Sequence, residues 1–199
     1  MQAMRFAVVM TLACGLLPAL GQTAAPAPSG MDAALLAKAN AGDASAQLKV
    51  GESYARAAAT DQDRDQVAED YKQAATWYRK AADQGNIAGE LELAALYRDG
   101  GGRSFARDTA QAAAWYGKAA DQGDTGAQGT LGLLYAMGQG VPRSDVDAYF
   151  WLDLAASVPG PKQAQYAANR QMVGTRLTLD DLDTIHEREK HWKAAHAKH

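Results

Sequence analysis

Small, apolar and aromatic positions recur in a fixed order between residues 42 and 157. Gly42, Gly85 and Gly123 are each followed by an Asp or Asn (Asp43, Asn86, Asp124), and twelve positions after each glycine stands a tyrosine (Tyr54, Tyr97, Tyr135). Glycine can end a helix in the left-handed conformation at little cost, and an Asx side chain caps the free N–H groups of the next one, so each pair predicts a tight helix-to-helix turn. Between turn and tyrosine run Ala46/Gly89/Ala127, Val50/Leu93/Leu131 and Gly51/Ala94/Gly132, at −8, −4 and −3 from the tyrosine. At 100° per residue these lie within about 80° of the tyrosine's direction, which predicts a helix with one narrow packing face. The small residue at −3 admits a close neighbour.

A second helix is predicted around Trp77, Trp115 and Trp151, flanked by Ala74 and Ala81, Ala112 and Ala119, and Ala148 and Ala155. The phrase Thr76 to Gly85 (TWYRKAADQG) returns 38 residues later as Ala114 to Gly123 (AWYGKAADQG). Self-similarity at such a period predicts a solenoid, in which each unit buries its apolar face against its neighbours. Tyrosine-to-tryptophan spacings of 23, 18 and 16 residues place the length variation in the loop joining the paired helices, and give the first unit a longer loop through Asp61-Gln62-Asp63-Arg64-Asp65.

The third unit carries Tyr135, Gly138, Gly140, Val141, Asp145, Ala148 and Trp151 in order. With the Trp-Ala-Ala register of the other two units, this resembles the Sel1-like repeat family, α/α repeats related to tetratricopeptide repeats, over residues 42 to 157. The third unit departs from the pattern at Ser157 to Pro161, and the second has Gly100-Gly101-Gly102-Arg103 in place of Gly-x-Gly-Val. The resemblance implies an all-α, α/α solenoid of about three repeats with capping helices at both ends. Residues 32–159 form the solenoid and 160–199 the C-terminal cap. Asp32 to Ala41 reads as a short helix on the first repeat; Lys162 to Thr175 and Leu179 to Lys198 read as two more. Thr178 and Asp181 form a capping box, and Leu182, Ile185, Glu189 and Trp192 follow at helical spacing.

Residues 1–21 read as a secretory signal peptide: Arg5, an apolar stretch from Phe6 to Leu20, and a small-x-small site at Ala19-Leu20-Gly21. A lipoprotein signal at Cys14 is the rival, but the apolar run continues past it. Residues 22–31 have the composition of a flexible linker. The expected location is periplasmic or secreted, and the segment is too short to be a membrane span. Cys14 is the only cysteine, so the processed chain has none and must be stabilised by packing. Loss of Arg5 takes the formal charge from −3 to −4, which favours neither nucleic acid nor anionic lipid.

Candidate chemistry is sparse. Asp61, Asp63 and Asp65 begin like a calcium loop, but Gln66 and Lys72 stand where Gly and Glu are required. His186, His191 and His196 are five residues apart, a step of about 140° around a helix that keeps them from one ion; only His196 with His199 could share a surface metal. Gly100 to Arg103 lacks the strand and Lys-Ser/Thr of a phosphate loop. No nucleophile has a catalytic context, so the expectation is a non-enzyme with no catalytic residues, no metal and no cofactor. Tryptophans in identical repeat positions read as core rather than as a sugar-stacking ladder.

The resemblance implies a scaffold that binds a protein or peptide, with a monomer as the expected state. Two alternatives are an enzyme or β-lactam-binding protein of the cysteine-rich Sel1-like type, disfavoured by the missing cysteine pairs, and a peptidoglycan or polysaccharide binder. The residues at −2 and +2 from each tyrosine lie about 160° from it, opposite the packing stripe. They are Glu52 with Arg56, Ala95 with Asp99, and Leu133 with Met137. In a tetratricopeptide-like superhelix this face lines the concave groove, so these six residues, with Arg98 at the edge, are the expected binding surface. The competing expectation covers Leu133 and Met137 with the C-terminal helices.

Export should leave a protein beginning at Gln22. N-terminal sequencing of the exported protein tests this, and a start at Met1 or a lipid on Cys14 would refute it.

Overall fold

The structure, a computed structural model, describes residues 28, 30–101 and 105–197. The expected signal peptide and most of the linker lie outside the described residues. Nine helices are present among them: α1 (Ala33–Asn40), α2 (Ala44–Thr60), α3 (Arg64–Ala82), α4 (Ile87–Asp99), α5 (Thr109–Asp121), α6 (Thr125–Met137), α7 (Asp145–Ser157), α8 (Gln163–Gly174) and α9 (Leu179–His196). The pairs α2–α3, α4–α5 and α6–α7 are the three repeats. Each helix packs chiefly on its neighbours in sequence, and α9 returns to lie on α7. The protein is an all-α solenoid. Met31, at the end of the expected linker, packs against the core rather than remaining free.

Each Gly-Asx turn joins two helices through both backbone and side chain. Gly42, Gly85 and Gly123 have φ of 99°, 75° and 91°, the left-handed region open to glycine. The next residue's N–H closes the preceding helix, as Asp43 to Lys38 O (3.2 Å), Asn86 to Ala81 O (3.2 Å) and Asp124 to Ala119 O (3.0 Å). Its side chain then accepts from the third residue on: Ala46 N at 2.7 Å, Gly89 N at 2.9 Å and Ala127 N at 2.7 Å. Orphan groups of two helices are thus satisfied by one residue.

In the first and third repeats the close approach of the paired helices occurs at the small −3 position. A Cβ on Gly51 would lie 2.5 Å from Tyr78 Cδ1, and one on Gly132 would lie 2.7 Å from Leu152 Cγ and 3.0 Å from Ala148 O. The three repeat tryptophans are buried, at 7%, 3% and 8% exposure. Lys80 Nζ and Lys118 Nζ sit over the faces of Trp77 and Trp115, 3.7 Å from the ring centres, in cation–π contacts.

The first repeat differs from the expected long loop. Only Asp61 to Asp63 separate its helices; the extra residues lengthen α2 to 17 and α3 to 19, against 13 for each helix of the other repeats. Ala57-Ala58-Ala59 favours helix continuation, and Asp63 caps α3 by accepting from Asp65 N and Gln66 N. Asp61 in turn accepts from Asp63 N at 2.8 Å. The aspartates of the suspected calcium loop are therefore turn and cap residues.

A buried polar position also repeats, five residues after each turn glycine: Gln47, Glu90 and Gln128, at 5%, 2% and 2% exposure. Gln47 Nε2 donates to Ala39 O (3.1 Å), and Gln128 Nε2 donates to Ala120 O (3.3 Å). Gln84 Nε2 donates to Gln47 Oε1 (2.7 Å) and Gln122 Nε2 to Glu90 Oε2 (2.8 Å), fastening the turn that closes each of the first two repeats to that repeat's own first helix. Glu90 alone has no amide to offer a carbonyl. Burial pushes its carboxyl above the usual glutamate value, against the pull of Lys118 and the Gln122 bond.

The cap is tied down by ionic and polar contacts. Arg188 donates to Asp147 (2.8 Å) and lies over the Phe150 ring at 4.4 Å; Arg176 pairs with Asp145, and Arg170 with Asp153. Glu189 is buried, with Lys193 on Oε2 at 3.3 Å. Its Oε1 faces no donor, and loss of water together with the nearby Asp153 carboxylate raises its proton affinity. The Thr178–Asp181 capping box is formed. At the far end, the His196 ring stacks on Trp192 (3.9 Å between centroids), with Nε2 2.6 Å from Asp121 O at the end of α5.

Two substitutions test the packing by circular dichroism melts. Trp115→Ala should cost about 3–5 kcal/mol as a large-to-small core change. Gly132→Leu should cost about 1–3 kcal/mol by forcing α6 from α7. Unchanged melting temperatures would show that neither contact is core.

Glu90→Gln should stabilise at neutral pH by about 1 kcal/mol, because glutamine can make the carbonyl bond of the flanking repeats without a buried charge. The raised Glu90 carboxyl favours the folded state when protonated. That contribution is complete below the ordinary glutamate value and is lost as pH rises through the folded one. Melts across pH should therefore show a smaller decline for the glutamine variant, and an equal or steeper decline would refute the assignment.

Candidate functional site

The seven residues expected at the binding surface all lie on or beside the first helices of the repeats, and none is fully buried. On α2, Glu52 is half-buried and Arg56 exposed; on α4, Ala95 is half-buried and Asp99 exposed; on α6, Leu133 is half-buried and Met137 is 55% exposed. Helices α8 and α9 rest chiefly on α7. Met137 thus remains open to solvent, beside Gly138, whose left-handed φ of 68° ends α6.

The structure engages Arg98 more tightly than an edge residue. Its Nε and Nη2 bind the two Asp99 oxygens at 2.8 and 2.7 Å, and its Nη1 donates to the Tyr116 hydroxyl at 2.8 Å. This bidentate pair holds the Asp99 carboxyl below its ordinary range. Arg107 Nε donates to Arg98 O (2.9 Å), fixing the following loop. Arg98 therefore braces the second repeat from within.

Tyr116 belongs to a position that the sequence reading overlooked, the residue after each repeat tryptophan: Tyr78, Tyr116 and Leu152. These side chains are buried against the first helix, at 3%, 4% and 0% exposure. Burial raises the proton affinity of the Tyr78 phenol, and the Glu92 and Glu52 carboxylates raise it further, opposed by Arg56. Glu92 lies one turn before Ala95 on α4, extending the face to Glu92, Ala95 and Asp99. Its own carboxyl is pushed up by desolvation and by Glu52. An adjacent aromatic repeat was the available signal.

Other candidates have structural roles or stay apart. His186 and His191 are exposed, His196 is held by Trp192 and Asp121, and His199 lies outside the described residues. Gly100 and Gly101 join Phe105, with Gly101 N to Phe105 O at 3.0 Å; Gly102 and Arg103 lie outside the described residues. Among the described residues no three His, Cys, Asp or Glu side chains converge on a metal position, and no helix is long and apolar enough to cross a membrane.

Paired helices, Gly-Asx turns and neighbour-to-neighbour packing define an α/α solenoid of the tetratricopeptide-like class. The Sel1 repeat matches residues 44–86, 87–124 and 127–157, and the chain belongs to that family. Sel1 repeats are protein-interaction modules, and the family is generally non-catalytic. Among solved structures, the fold is similar to a protective antigen present in uropathogenic Escherichia coli strains that displays an SLR fold, with 31% identity and a TM-score of 0.63 over 80% of this chain. The chain spans 32% of that protein's length. It is also similar to a Sel1 repeat protein from Oxalobacter formigenes, with 30% identity and a TM-score of 0.54, over 66% of this chain and 92% of that one. Among curated proteins, none matches the chain.

Proposed function

We propose that this protein is an exported, non-catalytic scaffold of the bacterial envelope that binds a protein or peptide along its first-helix face. One observation carries the reading. The packing positions keep their chemistry from repeat to repeat, while the opposite face runs from Glu52 and Arg56 through Ala95 and Asp99 to Leu133 and Met137. A face free of packing duty and varied along its length offers the graded chemistry that an extended partner can read. The exposure of Met137 adds an apolar contact at one end. Residues 1–21 supply the export signal.

Affinity capture from an envelope fraction, with mass spectrometry, tests the scaffold reading. Leu133→Asp with Met137→Asp should lose the captured partner with little change in melting temperature. Retention of the partner by the folded variant would place the binding surface elsewhere, and a fall in melting temperature would make the pair core.

A further inference from the structure

The residue seven positions before each repeat tryptophan has one task in the second and third repeats. Asp108 and Ser144 cap the second helix there, accepting from Gln111 N at 2.9 Å and Asp147 N at 3.1 Å. In the first repeat the matching residue is Asp70, but α3 starts six residues earlier, at Arg64, and Asp63 takes over the cap. Asp70 therefore sits inside a helix whose N–H groups are already bonded, where aspartate is a poor helix former. It is nevertheless only 3% exposed. One carboxylate oxygen accepts from Gln66 Nε2 at 2.8 Å. The other makes no hydrogen bond or ion pair with any described residue.

That oxygen is not sealed in the core, because the carboxylate lines a groove of about 880 Å³ at the lengthened end of the first repeat. Arg56 and Thr60 of α2, Asp61 of the turn, Gln66 of α3 and Met31 before α1 line it too. Burying a carboxylate with one neutral partner is costly unless a cation completes the site. Arg56 is the one cation lining the groove among the described residues, and it forms no ion pair with Asp70. With one oxygen taken by Gln66, the free oxygen suits a compact ammonium better than a guanidinium fork, which pairs best with both oxygens. The Ser53 hydroxyl, also on the groove wall, donates to Lys49 O at 2.9 Å and keeps its lone pairs for a further N–H. We propose that this groove binds a lysine side chain of a polypeptide partner, its ammonium donating to the free oxygen of Asp70. This rests on the reading of the protein as a peptide-binding scaffold and gives the partner a chemistry. Arg56 belongs both to the groove and to the expected binding face, so the two surfaces are continuous.

The test is an NMR titration of the isotope-labelled full chain with Nα-acetyl-lysinamide, beside its neutral Nε-acetylated form and Nα-acetyl-argininamide. The lysine probe should give saturable shifts at the Gln66 side-chain amide and at the Ser53 and Thr60 backbone amides. The neutral probe should give none, and the arginine probe should bind several-fold more weakly. Asp70→Asn keeps an acceptor for Gln66 and removes the charge. It should weaken lysine binding by about tenfold or more while the melting temperature stays equal or rises. Arg56→Gln should tighten binding about twofold by removing a like charge. Asp83→Asn, an exposed carboxylate at the far end of α3, should change nothing. Calcium added at constant ionic strength should not displace the probe. Equal shifts with the neutral probe, equal or tighter binding of the arginine probe, displacement by calcium, or full lysine binding by Asp70→Asn would each overturn the site. A lower melting temperature for Asp70→Asn would make the residue structural and overturn it as well. Capture of an envelope partner, run in parallel, separates the two readings. If wild type binds the lysine probe but captures nothing, the scaffold reading alone fails; if capture persists and no lysine selectivity is seen, the site alone fails.

Discussion

The structure depends on how closely the paired helices approach in the first and third repeats. Where Tyr78 lies over Gly51 and Leu152 over Gly132, even one methyl group on the glycine would collide with the opposite side chain. That contact sets the separation of the paired helices, and so the depth at which the tryptophans are buried and the direction of the opposite face. Hydrophobic burial drives the stacking, but steric fit at the −3 position selects its geometry. Cores with a larger residue there would have to separate the helices and give up contacts throughout the pair.

The second regularity is polar. Gln47, Glu90 and Gln128 occupy the same buried station, and Gln84 and Gln122 reach back to the first two. Such bonds contribute modest net stability, but leaving their partners unmet inside the array is costly, so the bonds of Gln47 to Ala39 O and of Gln128 to Ala120 O oppose slippage of a unit along the helix before it. A solenoid lacks long-range contacts to correct its register. Here the Gln47 and Gln128 amides, each bonded to a carbonyl of the preceding helix, serve instead.

The turns can be read from the sequence because they rest on local chemistry: only glycine adopts the required φ cheaply, and the Asx residue that follows binds backbone three residues away. The tryptophans and the small −3 residues are legible from their period. The buried glutamine and glutamate are not, since polar residues in a repeat look like solvent positions until the neighbouring turn covers them. Asp61 to Asp65 illustrate a different limit. Their acidic pattern suits a cation loop, a turn or a helix cap, and the alanines before them, by continuing α2, decide for the last two. At the candidate site, Glu52 and Arg56 follow from helical angle alone, whereas the difference between Tyr78 and Tyr116 emerges only when the Arg98 contact is seen in space. The return of α9 to Asp121 has no local signal at all.

That return makes the two ends of the array unequal. Among the described residues, the N-terminal end is covered by α1, eight residues long, while the C-terminal end is fastened by α8, by α9 and by a histidine that reaches back to α5. In an assembly where units lean mainly on their neighbours, thermal opening is expected to start at the less fastened end, which among the described residues is the first repeat. A partner lying along the first-helix face would join that loosest unit to the one behind it. Occupancy and local order would then rise together, and the protein would record its partner as a slower fraying of its own beginning.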